Sequence, residues 1–300
     1  LHWHQRLGHM PFSKMVHMAK LGIIPKHLAT VTPPMCSSCQ HGKAKKKPWR
    51  TKATKRHVYK QIVEKPGECV SVDQLESSVM GLIGQMKGIL TKQRYRVATI
   101  FVDHATRLGY PYLQKSTTSV ETVAAKDAFE AYSATFGVTI QHYHCDNGRF
   151  ADNLWRDSVD AANQTMSYSG VGASFQNGIA EKRIGDLQDS ARTMMLHAER
   201  NWPTAIDTHL WPYALRMASD VYNSTVRVEK ETSPIEQFTG FKMRPLLNRF
   251  HHFGCPVYVL HRNLQAGNKG RKWDNRSRVG IYLGHSTQHA KSIALVLSLE

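Results

Sequence analysis

Two close pairs of nitrogen and sulfur donors stand near the start of this chain, His4-x4-His9 and Cys36-x2-Cys39. Two short-spaced pairs joined by a connector suit a tetrahedral zinc ion, because each pair fills two positions from one turn and the connector lets the pairs converge. Such an ion would fold a segment too short to bury a core of its own. His2, His17 and His41 lie close by and compete as ligands. A second group is made of carboxylates. Asp73 closes the run Cys69–Asp73, Asp146 closes Val138–Cys145 ahead of the turn pair Asn147-Gly148, and Glu181 follows the breaker Asn177-Gly178. Carboxylates brought to one point repel unless cations lie among them, and hard Mg²⁺ or Mn²⁺ is the natural occupant. Two such ions activate an attacking oxygen and stabilise a leaving one at phosphorus. Asp103 and Glu76 compete with Asp73 for the first place in this trio.

These residues need elements to position them. Apolar residues from Phe12 to Leu21 recur at helical spacing between the two donor pairs. Strands are predicted over Cys69–Asp73, Tyr95–Val102, Leu108–Leu113, Val138–Cys145 and Thr165–Tyr168. Helices are predicted over Ser119–Phe136, Ala151–Ala161, Gln176–Arg200 and Trp202–Asn223. That order describes an α/β sheet with helices on both faces, whose strand ends open into a crevice where sites form. From about Ser233 the chain turns loop-rich and basic, with strands expected at Val257–Leu260 and Arg278–Leu283.

The balance of charge points to the partner. With 40 Lys and Arg against 23 Asp and Glu, the formal net charge is +17 over 300 residues, which favours a polyanion and above all nucleic acid. Lys43, Lys45, Lys46, Lys47 and Arg50 open a run to residue 60 that holds no acid, and Arg271 and Lys272 lie in a second basic stretch. These residues are expected to contact phosphate, together with Lys182 and Arg183 beside Glu181, although the last two equally suit a solvated helix face. Trp49 and Trp273 lie inside the basic stretches, where they either stack on bases or anchor small cores. Five cysteines in a chain this long make no disulfide framework. No apolar stretch approaches the ~18 residues of a membrane span, so no membrane association is expected. The chain begins at Leu1 and ends at Glu300 without a clear stop, so it reads as cut from something longer, with part of its C-terminal region beyond residue 300.

The motifs as a set resemble a family. Leu1-His2-Trp3-His4-Gln5-Arg6-Leu7-Gly8-His9 with Cys36-Ser37-Ser38-Cys39-Gln40-His41-Gly42-Lys43 resembles the zinc-binding pre-integrase module of copia-type LTR retrotransposons. Cys145-Asp146-Asn147-Gly148 is similar to that family's second catalytic aspartate and its turn, and Gln176-Asn177-Gly178-Ile179-Ala180-Glu181-Lys182-Arg183 to its glutamate helix. Phe253-Gly254-Cys255-Pro256-Val257-Tyr258 and Gly280-Ile281-Tyr282-Leu283-Gly284-His285 resemble its segment after the core. The resemblance implies an RNase H-like core, a five-stranded mixed sheet flanked by helices, with the catalytic, Mg²⁺- or Mn²⁺-binding triad Asp73, Asp146 and Glu181. Asp103 then matches a non-catalytic position. It implies zinc on His4, His9, Cys36 and Cys39. Two departures stand out: Gln74-Leu75-Glu76-Ser77-Ser78 lacks the family's Gly-Pro after the first aspartate, and Tyr168–Phe175 replaces a proline-rich stretch.

The expected organisation is a small helical zinc module with its basic linker over 1–60, the catalytic core over 61–228 and a small basic β-rich region over 229–300. The expected function is that of an integrase joining element DNA 3′ ends to target DNA. A related nuclease or transposase, or a decayed DNA-binding remnant, are the competing readings. Double-stranded DNA, further copies of the chain and a Gag-Pol polyprotein are the implied partners. Action in the nucleus after a cytoplasmic virus-like particle stage is implied as well.

Overall fold

The computed structural model describes residues 1–46, 63–84, 91–170, 174–228, 230–242, 244–286, 289 and 293–299. Lys47, Trp49 and Arg50 therefore lie outside the described residues. Five strands form one sheet in the order β3-β2-β1-β4-β5: β1 (Val70–Gly81), β2 (Tyr95–Asp103), β3 (Gly109–Gln114), β4 (His142–Cys145) and β5 (Thr165–Tyr168). β2 runs antiparallel to both β1 and β3, whereas β4 pairs parallel to β1, and β5 parallel to β4. This is the five-stranded mixed sheet flanked by helices that the sequence led us to expect, with β1 at its centre.

Side-chain alternation divides the sheet into two faces. Val70, Val72, Phe101, Tyr143 and Cys145 pack against Phe129 of α4 (Ser119–Ala134) and Trp155 and Val159 of α5 (Asn153–Ala161). Leu75, Ala98 and Ile100 belong to the opposite core. That core includes Leu187, Ala191 and Met194 of α6 (Gly178–Asn201) and Ala214 and Ala218 of α7 (Trp211–Ser224).

The N-terminal segment joins this second core rather than forming its own. It holds α1 (His2–Arg6), α2 (Phe12–Lys20) and α3 (Ser37–Gly42). Leu7, Met10, Met15 and Met18 are buried in the same cluster as α6 and α7. A Cβ on Gly42 would stand 2.3 Å from Thr193 Oγ1, so only glycine lets α3 approach α6 this closely. The Ser190 hydroxyl donates to the Gly8 carbonyl at 2.8 Å, and Arg192 Nη1 to that of Gly42 at 2.9 Å. From the other end of the chain, Gly254 meets α6 at Ala198, where a Cβ would be 2.3 Å from the alanine Cβ. Gly254 precedes a three-stranded antiparallel sheet of β6 (Pro256–Leu260), β7 (Ser277–His285) and β8 (Ala294–Ser298), with α9 (Arg262–Gln265) between its first two strands. Ile281, Tyr282 and Leu283 of β7 enter the shared core.

Several element boundaries differ from the sequence expectation. β1 does not end at Asp73 but runs on to Gly81, held by pairing with β2 through Glu76 and again at Gly81, with exposure that alternates along this second half. β8 was not foreseen, and neither was α8 (Pro234–Thr239). α8 starts with a full capping box, in which the Ser233 hydroxyl accepts from the Glu236 N–H, with Pro234 in the first turn and Gly240 closing at φ 73°. α7 starts at Trp211, not Trp202, since Pro203 and the turn at Asp207 intervene.

Candidate metal centres

His4 lies on α1 and Cys39 on α3, while His9 and Cys36 lie just outside helices. Gly8 and His9 both adopt left-handed backbone, at φ 61° and 57°, which turns the His9 ring back toward His4. His4 Nε2 and His9 Nδ1 are 3.2 Å apart. Cys39 Sγ is 3.3 Å from His4 Nε2 and 3.6 Å from His9 Nδ1, and Cys36 Sγ is 3.5 Å from His9 Nδ1. Tetrahedral zinc with bonds of about 2.0 Å to nitrogen and 2.3 Å to sulfur spaces its ligand atoms roughly 3.3–3.8 Å apart. The four side chains thus fit the ion, and they are the one His/Cys/Asp/Glu cluster of metal-binding spacing among the described residues. His4 Nδ1 lies 2.8 Å from the Met10 carbonyl; donation there fixes the tautomer that leaves Nε2 as ligand.

Burial lowers the His4 pKa to about 4 and that of His9 to about 2, and raises that of Cys39 to about 11. The rival histidines are occupied elsewhere or point to solvent. His17 Nε2 lies 3.0 Å from the Lys230 carbonyl, His2 packs edge-on to His252, and His41 is exposed.

The three acids singled out from the sequence lie on β1, just after β4 and on α6, and among the described residues they do not form a cluster of metal-binding spacing. Ser71 pairs with His144 in the parallel β1–β4 register. Asp73 lies on β1, and Asp146 is the first residue after the end of β4 at Cys145. Glu181 comes one turn into α6 and is exposed. The Asp73 carboxyl has its pKa raised to about 6, first by burial and then by the negative charges of Asp146 and Glu181. Asp146 and Glu181 are thus close enough for their charges to act on Asp73. An all-oxygen donor set of this charge fits hard divalent cations.

The rivals of Asp73 have other work. Asp103 is fully buried, and its carboxylate accepts from Gly67 N at 2.9 Å and from Thr106 N and Oγ1 at 2.8 and 2.7 Å, closing the β2–β3 turn. Glu76 is exposed and pairs with Arg149 at 3.5 Å.

Residues 1–44 match the family described as GAG-pre-integrase domain. Over 98% of its length the chain is 26% identical to the Retrovirus-related Pol polyprotein from transposon RE1 of Arabidopsis thaliana, and 24% identical to that from transposon RE2. The chain is a homologue of copia-type Pol polyproteins. It spans 18% of the length of each of these relatives. Among solved structures, the HTLV-2 integrase catalytic core domain in complex with magnesium is 16% identical, with 58% of this chain and 97% of that one covered at a TM-score of 0.41. A simian T-cell lymphotropic virus intasome chain is 12% identical, with 97% of both chains covered at a TM-score of 0.48.

In this copia-type relative, the basic residues singled out from sequence divide. Lys46, Lys182, Arg271 and Lys272 are exposed, Lys272 with its Nζ 5.5 Å from the Trp273 ring centroid. Lys45 pairs with Asp189 of α6 at 2.5 Å, and Lys43 donates to the His9 carbonyl at 2.5 Å, so both brace the zinc module. Arg183 corrects the expectation outright. It is 4% exposed, its guanidinium lies on the Tyr222 ring and its Nη2 donates to the Arg107 carbonyl, so the group is buried away from any phosphate. The residues the sequence reading passed over are those just ahead of α6, chiefly Asn177, which had counted only as a helix breaker.

Proposed function

We propose that this chain is an integrase segment that joins the 3′ ends of element DNA to target DNA by divalent-metal-dependent phosphoryl transfer. The observation that supports the reading is that Asp73 on β1 feels the charges of both Asp146, just after the neighbouring parallel strand β4, and Glu181 on α6. Asp73 and Asp146 would hold the cations between them, and Glu181 would complete the second position. Once bound, two divalent cations supply charge stabilisation to the attacking and leaving oxygens. The chain's own part is to hold the three carboxylates on rigid elements and to present DNA through exposed cations such as Lys182, Arg271 and Lys272. Water as the attacking group trims a DNA end, and a DNA 3′-hydroxyl joins it to target. Zinc on His4, His9, Cys36 and Cys39 is structural, since four protein ligands leave no open position. The chain acts as a multimer on double-stranded DNA, as part of a Gag-Pol polyprotein, in the nucleus after a cytoplasmic particle stage.

The test is joining of a labelled duplex to plasmid in Mg²⁺ or Mn²⁺, with Asp146→Asn and Glu181→Gln alongside. Metal-dependent joining that both substitutions abolish is expected. Cleavage without joining would replace the integrase reading by a nuclease, and joining that survives Asp146→Asn would remove the carboxylate trio from the chemistry.

A further inference from the structure

Asn177 stands at the N-cap position of α6, where an asparagine side chain ordinarily accepts from an N–H of the first turn. It makes no such bond. Its Nδ2 instead donates to the Val72 carbonyl at 3.0 Å, across 105 residues of chain. The side chain is 1% exposed and its Oδ1 has no partner among the described residues. By ordinary stability rules this is a poor arrangement twice over, since a helix cap is forgone and a buried acceptor is left unpaired. Such an arrangement invites a functional account.

The two ends of that bond supply one. Val72 immediately precedes Asp73, and Asn177 precedes Glu181 by one helical turn. The neighbouring Gln176 accepts at its Oε1 from Gly170 N at 2.7 Å, two residues after β5. The Gln176-Asn177 pair thus ties the start of α6 to β1 and to the segment after β5. The start of α6 is packed by buried Ala180 and by Arg183 on Tyr222, while Glu181 between them is exposed. The Asn177 bond adds to this packing a direct tie between that end of the helix and the strand that carries Asp73.

We infer that Asn177 is a positioning residue for the divalent-cation site: its bond to Val72 sets the separation of Glu181 from Asp73. The inference rests on the carboxylate reading above. Mg²⁺ demands near-ideal ligand placement at about 2.0–2.1 Å. Partners that orient ligands from behind typically change metal affinity by about 10–100-fold.

Direct Mn²⁺ binding by titration calorimetry on the zinc-loaded full chain tests this, with Asn177→Ser, Asn177→Ala and Glu181→Gln beside the wild type. Serine caps a helix well but is too short to reach Val72, so Asn177→Ser separates capping from tethering. The expected result is Mn²⁺ binding weakened about tenfold or more in both Asn177 variants, with melting temperature and zinc content unchanged. Wild-type affinity in Asn177→Ser would overturn the inference while leaving the carboxylate reading intact. Loss of zinc and of the melting transition in both variants would overturn it too, by making the bond a folding contact. No Mn²⁺ binding by the wild type, or equal binding by Glu181→Gln, would bring down the carboxylate reading and this inference with it.

Discussion

The guanidinium of Arg183 lies 3.5 Å from the centroid of the Tyr222 ring, stacked between α6 and α7. Its Nη1 rests against Gly109, where a Cβ would stand 2.2 Å away. A buried, ring-stacked arginine is a packing element, and lysine does not replace its planar contact. Arg183→Ala is expected to cost about 2 kcal/mol or more in stability, and Arg183→Lys to recover little of it. Denaturant unfolding measures this. An unchanged midpoint, combined with a salt dependence of DNA binding shallower by about one unit, would return Arg183 to the phosphate-contacting set.

Lys182, its neighbour, is exposed and has the opposite expectation. Lys182→Ala, Arg271→Ala and Lys272→Ala should each leave stability within about 0.5 kcal/mol. Each should reduce the slope of log affinity against log salt by about one. Fluorescence anisotropy on two unrelated duplexes reads both the slope and its indifference to sequence. Lys45→Ala should behave differently, because that ammonium is already paired with Asp189.

Zinc loading should release protons. His4 and His9, with pKa values lowered to about 4 and about 2 by burial, are neutral near pH 7 and ready to ligate, whereas the Cys39 thiol, raised to about 11, still carries its proton. Binding must displace thiol protons, so zinc affinity rises with pH across the neutral range. Calorimetry in buffers of different ionisation enthalpy detects the release, and a buffer-independent enthalpy would contradict it. Chelation or Cys39→Ser should also lower the melting temperature by about 5 °C or more, because the module shares its core with α6.

The raised Asp73 pKa fixes the sign of a pH effect. Its value of about 6 in the fold exceeds the ordinary 3.8, so the native state holds a proton that the unfolded state gives up between those limits. This contribution to stability is complete below about pH 3.8 and is lost as pH rises to about 6. At pH 7 without divalent metal, Asp73→Asn should therefore raise the melting temperature by about 2 °C or more, while abolishing joining. Added Mn²⁺ should stabilise the wild type and not the variant. A lower melting temperature for Asp73→Asn in EDTA would count against the crowded carboxylates.

Residues whose types carried their own signal were legible in the sequence. The two donor pairs converged and the β-branched run of β2 formed a strand as read, while the strand before Asp146 is shorter than expected, covering His142–Cys145. Asp73 was read correctly as a residue on a strand but wrongly as its last, because the consecutive polar residues Glu76-Ser77-Ser78 break the alternation that marks a strand. Arg183 misled for a different reason: a charged side chain on an amphipathic helix gives no sequence sign of which neighbours will cover it, and Tyr222 lies 39 positions away. Asn177 was invisible as a tether because its partner is a backbone carbonyl, which leaves no trace in residue type. The capping box at Ser233 and Glu236 was present in plain letters, but a loop-rich composition around it drew attention away from α8.

The close approach of Gly42 to Thr193 and of Gly254 to Ala198 constrains how such a chain can be inherited. A recombination that exchanged only the first 44 residues, or only those after the core, would bring a foreign surface against the middle of α6. Any larger side chain at these glycine contacts would push that helix, and Glu181 at its end, out of register. The N-terminal segment, α6 and the segment around Gly254 are therefore expected to be exchanged together or not at all, and chimaeras between related elements should tolerate crossovers least where one side of a glycine contact is replaced without the other.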